Sequence, residues 1–141
     1  MSRGPGPVAL SAEDEREIGA VLVRYGTGID RRDWDLFESC FSDDFVGDYG
    51  SFGSWRGPAA ITQYMREAHA PLGATLHRLS NIAISGDGAG VRSCSYVDAL
   101  LMPGEGGGEP HQGIGYYDDE WRRSAAGWQI RRRLFSLVRF L

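Results

Sequence analysis

The amino-acid sequence predicts a single small α+β domain with helices in its first half and long antiparallel strands in its second half. Up to about residue 70, apolar side chains recur every three or four residues, which is the spacing of amphipathic helices. From Thr75 onward the pattern changes to long segments of strand character, separated by short turn segments. The chain has 141 residues, the size of one domain, and 42% of them are hydrophobic, which is enough for a core.

The first helix is predicted over residues 11–31. Ser11 and Asp14 have the pattern of a capping box, and acidic residues crowd the positive end of the helix dipole. The apolar stripe of this helix consists of Ile18, Val21, Leu22, Tyr25 and Ile29. Two glycines, Gly26 and Gly28, weaken its last turn.

Two shorter helices follow. Asp33 is suited to cap the second helix, whose apolar members are Trp34, Leu36, Phe37 and Phe41. Residues 45–55 have the character of a strand and a turn. Pro58 then opens the third helix at its first turn, and the apolar members of that helix are Ile61, Tyr64, Met65 and Ala68.

Four long strands complete the chain, over residues 75–85, 90–102, 111–123 and 127–140. They are expected to form an antiparallel meander with the helices packed on one face. Alternation along the last strand directs one set of side chains to the apolar face, namely Trp128, Ile130, Leu134, Val138 and Phe140. It directs Arg131, Arg133 and Arg139 to the opposite face, which is solvated or faces a second copy. Arg132 interrupts the apolar face and predicts a bulge or a buried ion pair.

The composition argues against several classes of protein. The net charge of −4 disfavours a nucleic-acid binder that works by neutralising phosphates. Residues 1–9 are rich in Gly and Pro, so we expect a flexible tail before a single domain at 10–141. This tail lacks the apolar core of a signal peptide, and no apolar run is long enough to span a membrane. The sequence therefore predicts a cytoplasmic protein without a membrane partner.

No motif for a metal or a cofactor is present. The two cysteines, Cys40 and Cys94, have no metal-ligand spacing and are expected to be reduced, buried small hydrophobes. The glycine-rich segment GEGGGEP has no lysine and no following helix, so it is not a phosphate-binding loop. We therefore expect no metal and no cofactor.

Four segments resemble SnoaL-like proteins of the nuclear-transport-factor-2-like superfamily. They are RYGTGIDRRDWDLFESCFSDDFVGDYGSF, GSWRGPAAITQYM, TLHRLSN and GWQIRRR. In that family an acidic residue ends the first helix, "DW" opens the second helix, and "DY" lies on the first strand. The resemblance covers roughly residues 12–135 and implies a curved antiparallel or mixed sheet with three N-terminal helices around a cone-shaped pocket.

Within the superfamily the sequence is most similar to the scytalone dehydratase branch. That pocket has an aspartate at the end of the first helix, tyrosines, and two histidines that act on a hydroxylated cyclic ketone. The matching residues here are Asp30, Tyr49 and His77. Two features depart from the branch: Ile29 precedes Asp30 in place of a tyrosine, and strand 90–102 has Ser95 or Tyr96 in the region of the second histidine.

The residues together with the resemblance favour an Asp30–His77 pair. Alternation puts His77 and Asn81 on one strand face and the charged Arg78 on the other, so the first two are expected to point into the pocket. Imidazole titrates near neutral pH and is a natural proton shuttle. A carboxylate at a helix C-terminus is poorly matched to the dipole, which favours a specific partner for Asp30. The alternatives, a surface carboxylate and a core histidine bonded to a carbonyl, stay open.

Other residues are candidates for binding. Tyr49 is predicted to donate a hydrogen bond to a substrate carbonyl, although a half-buried aromatic with a hydrated hydroxyl fits nearly as well. The remaining candidates for substrate contact are Asn81, Tyr25, Trp34, Trp55, Tyr64, Tyr96 and His111. His111 begins a strand after the glycine-rich loop and is placed at the rim. Asp98 is not expected to be a second pocket carboxylate.

These features together predict a cofactor-independent enzyme that works by acid/base proton transfer. Its substrate would be a small apolar or aromatic molecule, cyclic or polyketide-like, and dehydration, isomerisation and cyclisation all fit. The alternative is a non-catalytic module of the same fold that binds a ligand or assembles subunits, and a homodimer or trimer is expected. An enclosed cavity with Asp30 and His77 within hydrogen-bond reach would favour the enzyme.

Overall fold

The computed structural model describes residues 10–87 and 90–141, so the predicted tail at 1–9 and part of the predicted turn at 86–90 lie outside the described residues. The helices are α1 (Ala12–Asp30), α2 (Trp34–Glu38) and α3 (Pro58–His69), with a short 3-10 helix at Gly50–Phe52. The strands are β1 (Phe41–Asp48), β2 (Ser54–Arg56), β3 (Leu72–Asp87), β4 (Gly90–Pro103), β5 (His111–Ser124) and β6 (Gly127–Phe140).

The strands form one six-stranded mixed sheet in the order β2-β1-β6-β5-β4-β3. Strands β3 to β6 are the predicted antiparallel meander, and β1 joins it by pairing parallel to β6. An apolar core lies between the helices and the inner face of the sheet. The predicted α+β class with a mixed sheet is therefore confirmed, while the cone shape stays a prediction. Two helices precede β1, and α3 lies between β2 and β3.

The predicted helix starts are present. The amide of Asp14 donates to Ser11 Oγ and the amide of Ser11 donates to Asp14 Oδ2, both over 3.0 Å, which is a complete capping box. Asp33 accepts a hydrogen bond from the amide of Leu36 over 3.1 Å, and Pro58 occupies the first turn of α3. These contacts satisfy amide groups that have no partner inside their helices.

Phe41 is not a member of α2, contrary to its predicted place there. It begins β1 and pairs with Ile130 of β6, and its ring packs on Phe37 and Phe45 with centroids 5.0 and 4.5 Å away. The backbone of β6 supplies the hydrogen-bond partners at this point, since the amide of Ile130 donates to the carbonyl of Cys40. Helical spacing alone does not distinguish this strand residue from a helical one.

Two of the glycines in α1 allow a close approach of its backbone to neighbouring elements, Gly26 to β3 and Gly28 to α2. A methyl group at Gly26 would lie 2.9 Å from the carbonyl oxygen of His77, and one at Gly28 would lie 2.8 Å from the amide nitrogen of Phe37. Helix α1 therefore lies directly on the backbone of β3 beside His77. One turn further along α1, this contact carries Asp30 to the same strand.

A bulge in β3 overturns the prediction for Asn81. Leu79 and Ser80 pair with Val97 and Tyr96, but the register then shifts before Ala83 pairs with Cys94. Asn81 has a positive φ of 49° inside this shift, and its side chain is exposed. The alternation that holds for Thr75, His77 and Leu79 reverses at the bulge, so Asn81 does not reach the pocket.

A second bulge, in β6, overturns the prediction for Arg133. Glu120 pairs with Arg132 and Trp121 with Ile130, so Arg131 is an extra residue in β6. The predicted bulge next to Arg132 is thus confirmed. Because it shifts the alternation, Arg133 is completely buried, while Leu134 and Val138, predicted to face the core, are 44% and 58% exposed. The buried ion pair belongs to Arg133, since Arg132 is exposed.

Two smaller predictions concern cysteines and membranes. Both cysteines are free; Cys40 is buried, but Cys94 is only partly buried, so the prediction of a buried cysteine is wrong for Cys94. Over residues 10–87 and 90–141, none of the helices has the length and apolar content needed to cross a membrane.

Candidate active site

The carboxylate of Asp30 and the imidazole of His77 form a hydrogen-bonded pair. Asp30 is the last residue of α1, and His77 lies in β3, where α1 touches the strand. His77 Nδ1 is 2.7 Å from Asp30 Oδ1, and the backbone amide of His77 donates to Asp30 Oδ2 over 2.8 Å. The side chain of His77 is 8% exposed and that of Asp30 is 17% exposed. The pairing that the sequence predicts is present, and its catalytic role stays a prediction.

Thr75 and Arg32 hold the carboxylate in place, and sequence reasoning did not identify this role. Arg32 donates to Thr75 Oγ1 over 2.9 Å and to the carbonyls of Ile29 and Gly73. Since the guanidinium can only donate, the hydroxyl hydrogen of Thr75 is directed to Asp30 Oδ1, 3.0 Å away. A positive φ of 55° at Arg32 ends α1 and turns the chain at this point.

These contacts fix the charge of Asp30 and the tautomer of His77. Burial alone raises the pKa of Asp30, but the hydrogen bonds from His77 and Thr75 outweigh it and hold that pKa below its ordinary value. An ionised carboxylate can only accept, so Nδ1 of His77 carries a hydrogen. In the neutral ring the other nitrogen, Nε2, is then unprotonated and can act as a base.

His77 lines a cavity of about 320 Å³ between the helices and the inner face of the sheet. Its wall is mostly apolar and aromatic and includes Phe52, Met65, Leu72, Val97, Leu101, Phe135, Leu137 and Phe140. The polar groups of the wall are few and come from tyrosines and histidines. A concave apolar site with a few convergent polar groups is typical of small-molecule binding.

Three tyrosine hydroxyls meet in the wall of this cavity. Tyr25 Oη lies 3.3 Å from both Tyr49 Oη and Tyr117 Oη, and all three side chains are buried. Burial is the main cause that raises the pKa of each hydroxyl above its ordinary value. The three groups therefore stay protonated. They share two hydrogen bonds but have three hydrogens, so one O–H is left for another acceptor.

A buried ion pair packs against the rings of two of these tyrosines. Arg133 donates to both oxygens of Asp119, over 2.8 and 2.9 Å, with both side chains fully buried. The guanidinium carbon lies 3.7 Å from the ring centroid of Tyr117 and 4.3 Å from that of Tyr25. The Nη1 of Arg133 has no partner among the described residues. This cation lies against the faces of two of the three rings and favours negative charge on their hydroxyl groups.

His69 is a second histidine in the cavity wall that the sequence prediction missed. It is the last residue of α3, and its ring centroid is 5.5 Å from that of His77. Nδ1 lies 2.8 Å from the carbonyl oxygen of Met65. Burial first, and then the neighbouring His77 and Arg32, lower the pKa of His69 to about 4. Its apolar neighbours at helical spacing, Ile61 and Met65, were the only available signal.

We expect His69 to make the protein sensitive to acid. The ring has a pKa of about 4 when folded and 6.5 when free, so only the unfolded chain binds the proton between these values. Stability from this group is complete above pH 6.5 and falls by up to about 3 kcal/mol as the pH drops towards 4. Urea unfolding across this pH range should show that the wild type loses more unfolding free energy than His69→Gln does, by that amount. Parallel pH profiles would contradict the prediction.

Three of the other predicted contact residues line the cavity. Tyr25 is buried there, Tyr64 is half-buried, and His111 lies at the wall and is exposed. His111 Nδ1 is 3.0 Å from the carbonyl of Leu141, and the ring stacks on Phe140. Tyr49, also in the wall, follows the end of β1 and starts the 3-10 helix.

Four predicted contact residues do not line the cavity. Asn81 is exposed beyond the β3 bulge, as described above. Tyr96 lies on the outer face against Tyr116 and is 43% exposed, because alternation in β4 directs Val97 inward. Trp34 packs on Phe37 and His69, and Trp55 stacks on Tyr64 with centroids 4.0 Å apart. Both tryptophans therefore contact residues of the wall without forming it.

Asp98 lies outside the cavity, as predicted. It pairs with Arg78 over 3.1 Å and accepts from Gln112 on the outer face of the sheet. In the part of the chain that the structure describes, no group of three or more His, Cys, Asp or Glu side chains is arranged to hold a metal ion. The expectation that no metal or cofactor takes part stays a prediction.

The fold and the site define this chain as a small α+β protein with an Asp–His pair at an apolar cavity. Its residues 10–134 match the model of the SnoaL-like domain. The chain belongs to the SnoaL-like family, as its sequence segments predict. A relative among curated proteins is the uncharacterized protein Rv2910c of Mycobacterium tuberculosis. It is 29% identical over 124 residues, which is 86% of this chain and 83% of the relative.

Solved structures have the same fold at low sequence identity. A Novosphingobium aromaticivorans protein, provisionally assigned as a scytalone dehydratase, has a TM-score of 0.83 and 18% identity, with 92% of this chain and 87% of that chain covered. The hexachlorocyclohexane dehydrochlorinase LinA-type3 from Novosphingobium barchaimii has a TM-score of 0.78 and 18% identity, with 93% of each chain covered. At these identities the likeness establishes the fold alone.

Proposed function

We propose that this protein is a cofactor-independent enzyme that moves a proton on a small, largely apolar, cyclic or polyketide-like substrate. The observation that carries the proposal is the 2.7 Å contact between His77 Nδ1 and Asp30 Oδ1 at the wall of an apolar cavity. A carboxylate that orients an imidazole at the wall of such a cavity is an arrangement suited to general acid–base catalysis.

His77 acts as the base through Nε2. Its ring accepts a proton from a carbon atom of the substrate, and Asp30 stabilises the imidazolium that forms. Thr75, Arg32 and the amide of His77 keep the carboxylate in one orientation, so the ring needs no rearrangement during proton transfer.

The tyrosine cluster stabilises the charge that this proton transfer creates. When a proton leaves the carbon next to a carbonyl, negative charge collects on the carbonyl oxygen. The O–H that Tyr25, Tyr49 and Tyr117 do not use among themselves donates to that oxygen. The buried cation of Arg133 lowers the energy of the resulting state. This assigns a shared role to three hydroxyls, where the sequence prediction names Tyr49 alone.

The reaction is completed when the imidazolium returns its proton. Delivery to a leaving hydroxyl gives water and a new double bond, which is dehydration. Delivery to a different carbon gives isomerisation. In ring closure the carbanion attacks a second carbonyl carbon, the C=O π bond breaks, and the alkoxide that forms takes the proton from the imidazolium. The two similar structures named for an elimination, a dehydratase and a dehydrochlorinase, support this class of chemistry on this fold.

A test uses 5-nitrobenzisoxazole, a small flat aromatic molecule. When a base removes the proton on its ring carbon, the N–O bond breaks and a coloured cyanonitrophenolate forms. We expect the wild type to accelerate this opening beyond free imidazole at the same concentration. Asp30→Asn should lose about 10²-fold of the rate, because the amide no longer stabilises imidazolium.

Asp98→Asn is the matched control, since it makes the same substitution on the outer face of the sheet. It should keep the wild-type rate, and thermal unfolding of both variants should report folded protein. Equal rates for Asp30→Asn and the wild type would leave the non-catalytic ligand-binding or assembly module as the better function. The cavity with its hydrogen-bonded Asp30–His77 pair favours the enzyme.

Oligomerisation and location are separate proposals. We infer a homodimer or trimer through the outer face of the sheet, which exposes apolar side chains of Leu76, Tyr96, Tyr116, Leu134 and Val138. We also propose a cytoplasmic location.

A further inference from the structure

We propose that His69 is a substrate-binding residue whose Nε2 accepts a hydrogen bond from a hydroxyl group of the substrate. The inference rests on the proposed function for the reaction itself, and it adds the class of molecule that the cavity selects. A hydroxyl-bearing ring should be preferred to a ring of the same size and shape that has no hydrogen-bond donor.

The orientation of the His69 ring fixes what each nitrogen can do. Nδ1 lies 2.8 Å from the carbonyl oxygen of Met65, and a carbonyl oxygen only accepts, so Nδ1 carries the hydrogen. Nε2 of the neutral ring is therefore a hydrogen-bond acceptor. No group among the described residues donates to it, although only 7% of the residue is exposed.

The surroundings of His69 keep its ring neutral. The groups that face it are His77 on β3, Arg32 after α1 and Asp30 at the end of α1, and burial is the largest influence. With a pKa of about 4, the ring stays unprotonated near neutral pH. His69 is therefore unsuited to donate a proton from Nε2, and it differs in this respect from His77, which has a carboxylate partner.

Two histidine rings in one wall select a particular arrangement of substrate groups. Their centroids are 5.5 Å apart, close enough for two neighbouring positions of one small ring to reach both. His77 meets the carbon that loses its proton, and His69 meets a hydroxyl. A carbonyl oxygen or a halogen beside His69 would face a lone pair without gaining a hydrogen bond.

Binding of two probes of matched shape tests this proposal without relying on turnover. The probes are 2-naphthol and 2-methylnaphthalene, which differ by a hydroxyl in place of a methyl group. Calorimetric titration should give the ratio of their dissociation constants for the wild type and for His69→Phe. The variant should lose about tenfold of the relative preference for naphthol, which corresponds to one hydrogen bond. Affinity for 2-methylnaphthalene should change little.

Two further measurements keep the test decisive. His69→Gln should recover part of the preference, because its amide oxygen accepts a hydrogen bond. In the wild type, long-range ¹H–¹⁵N spectra should show Nε2 of His69 unprotonated, with a resonance that shifts on addition of 2-naphthol and not of 2-methylnaphthalene. An unchanged probe ratio in His69→Phe, or an Nε2 resonance that naphthol does not move, would overturn the proposal.

The selectivity test of His69 and the rate test of Asp30 can fail separately. If His69→Phe loses selectivity while Asp30→Asn keeps the wild-type rate of benzisoxazole opening, the protein is a ligand-binding module that recognises a hydroxyl group. Loss of rate in Asp30→Asn with unchanged selectivity in His69→Phe would keep the enzyme and remove the role of His69.

Discussion

Replacement of His77 by alanine is expected to lower the rate of benzisoxazole opening by about 10²- to 10⁴-fold, because it removes the base itself. The fold should survive. Asp30 keeps hydrogen bonds from Thr75 and from the backbone amide of residue 77, which the substitution leaves in place. The variant also has a space beside Asp30 the size of an imidazole ring, and free imidazole added to it should restore part of the rate.

The matched control for this variant is Arg78→Ala, one residue along β3. Arg78 lies on the outer face of the sheet and pairs with Asp98. We expect wild-type rates from it and the same thermal unfolding midpoint within a few degrees. If His77→Ala turned over the probe as fast as Arg78→Ala does, a base other than His77 would be at work.

Loss of the Asp119 carboxylate should have the largest effect on stability. Asp119→Ala leaves the guanidinium of Arg133 buried without a counter-charge, and such a loss costs about 3–5 kcal/mol of unfolding free energy. Urea unfolding measures this directly. The comparison is Asp98→Ala, which breaks the half-exposed pair with Arg78 and should cost no more than about 1 kcal/mol.

A double variant separates the ion pair from its packing. Asp119→Leu with Arg133→Met replaces the charges by apolar groups and should recover much of the stability that Asp119→Ala loses. It also removes the cation that lies against the rings of Tyr25 and Tyr117. The rate of benzisoxazole opening should therefore fall although the variant folds. If the single variant Asp119→Ala were as stable as Asp98→Ala, Arg133 would have found other partners.

Much of the fold was predictable because its signals are local. The capping box at Ser11, the cap at Asp33 and the meander from Thr75 onward all depend on residues close in sequence. The Asp30–His77 pair was predictable for a different reason, since a carboxylate at the C-terminal end of α1 needed a partner. Gly26, interpreted from sequence as weakening α1, is the residue at which the helix lies against the backbone of β3, one turn before Asp30.

The errors arise where strands depart from strict alternation or where packing is not local. Asn81 and Arg133 lie in or after bulges, and a one-residue shift exchanges the inner and outer faces. Tyr96 was assigned without a register for β4. His69 ends a helix, a place where histidine is usually explained by the helix dipole, and only the packing of α3 near β3 shows that its ring lies beside His77.

The extra residue in β6 has a consequence for how this chain is aligned with its relatives. A chain without Arg131 would run from Ile130 to Arg132 and Arg133 in plain alternation, and Arg133 would still face Asp119. The pairing of β5 with β6 on both sides of Arg131 is therefore compatible with a strand that lacks this residue. When relatives are aligned, a single gap between Ile130 and Arg133 is compatible with an unchanged pocket. In a relative, the residue equivalent to Arg133 is then identified by its pairing with the residue equivalent to Asp119, and not by its position number in the strand.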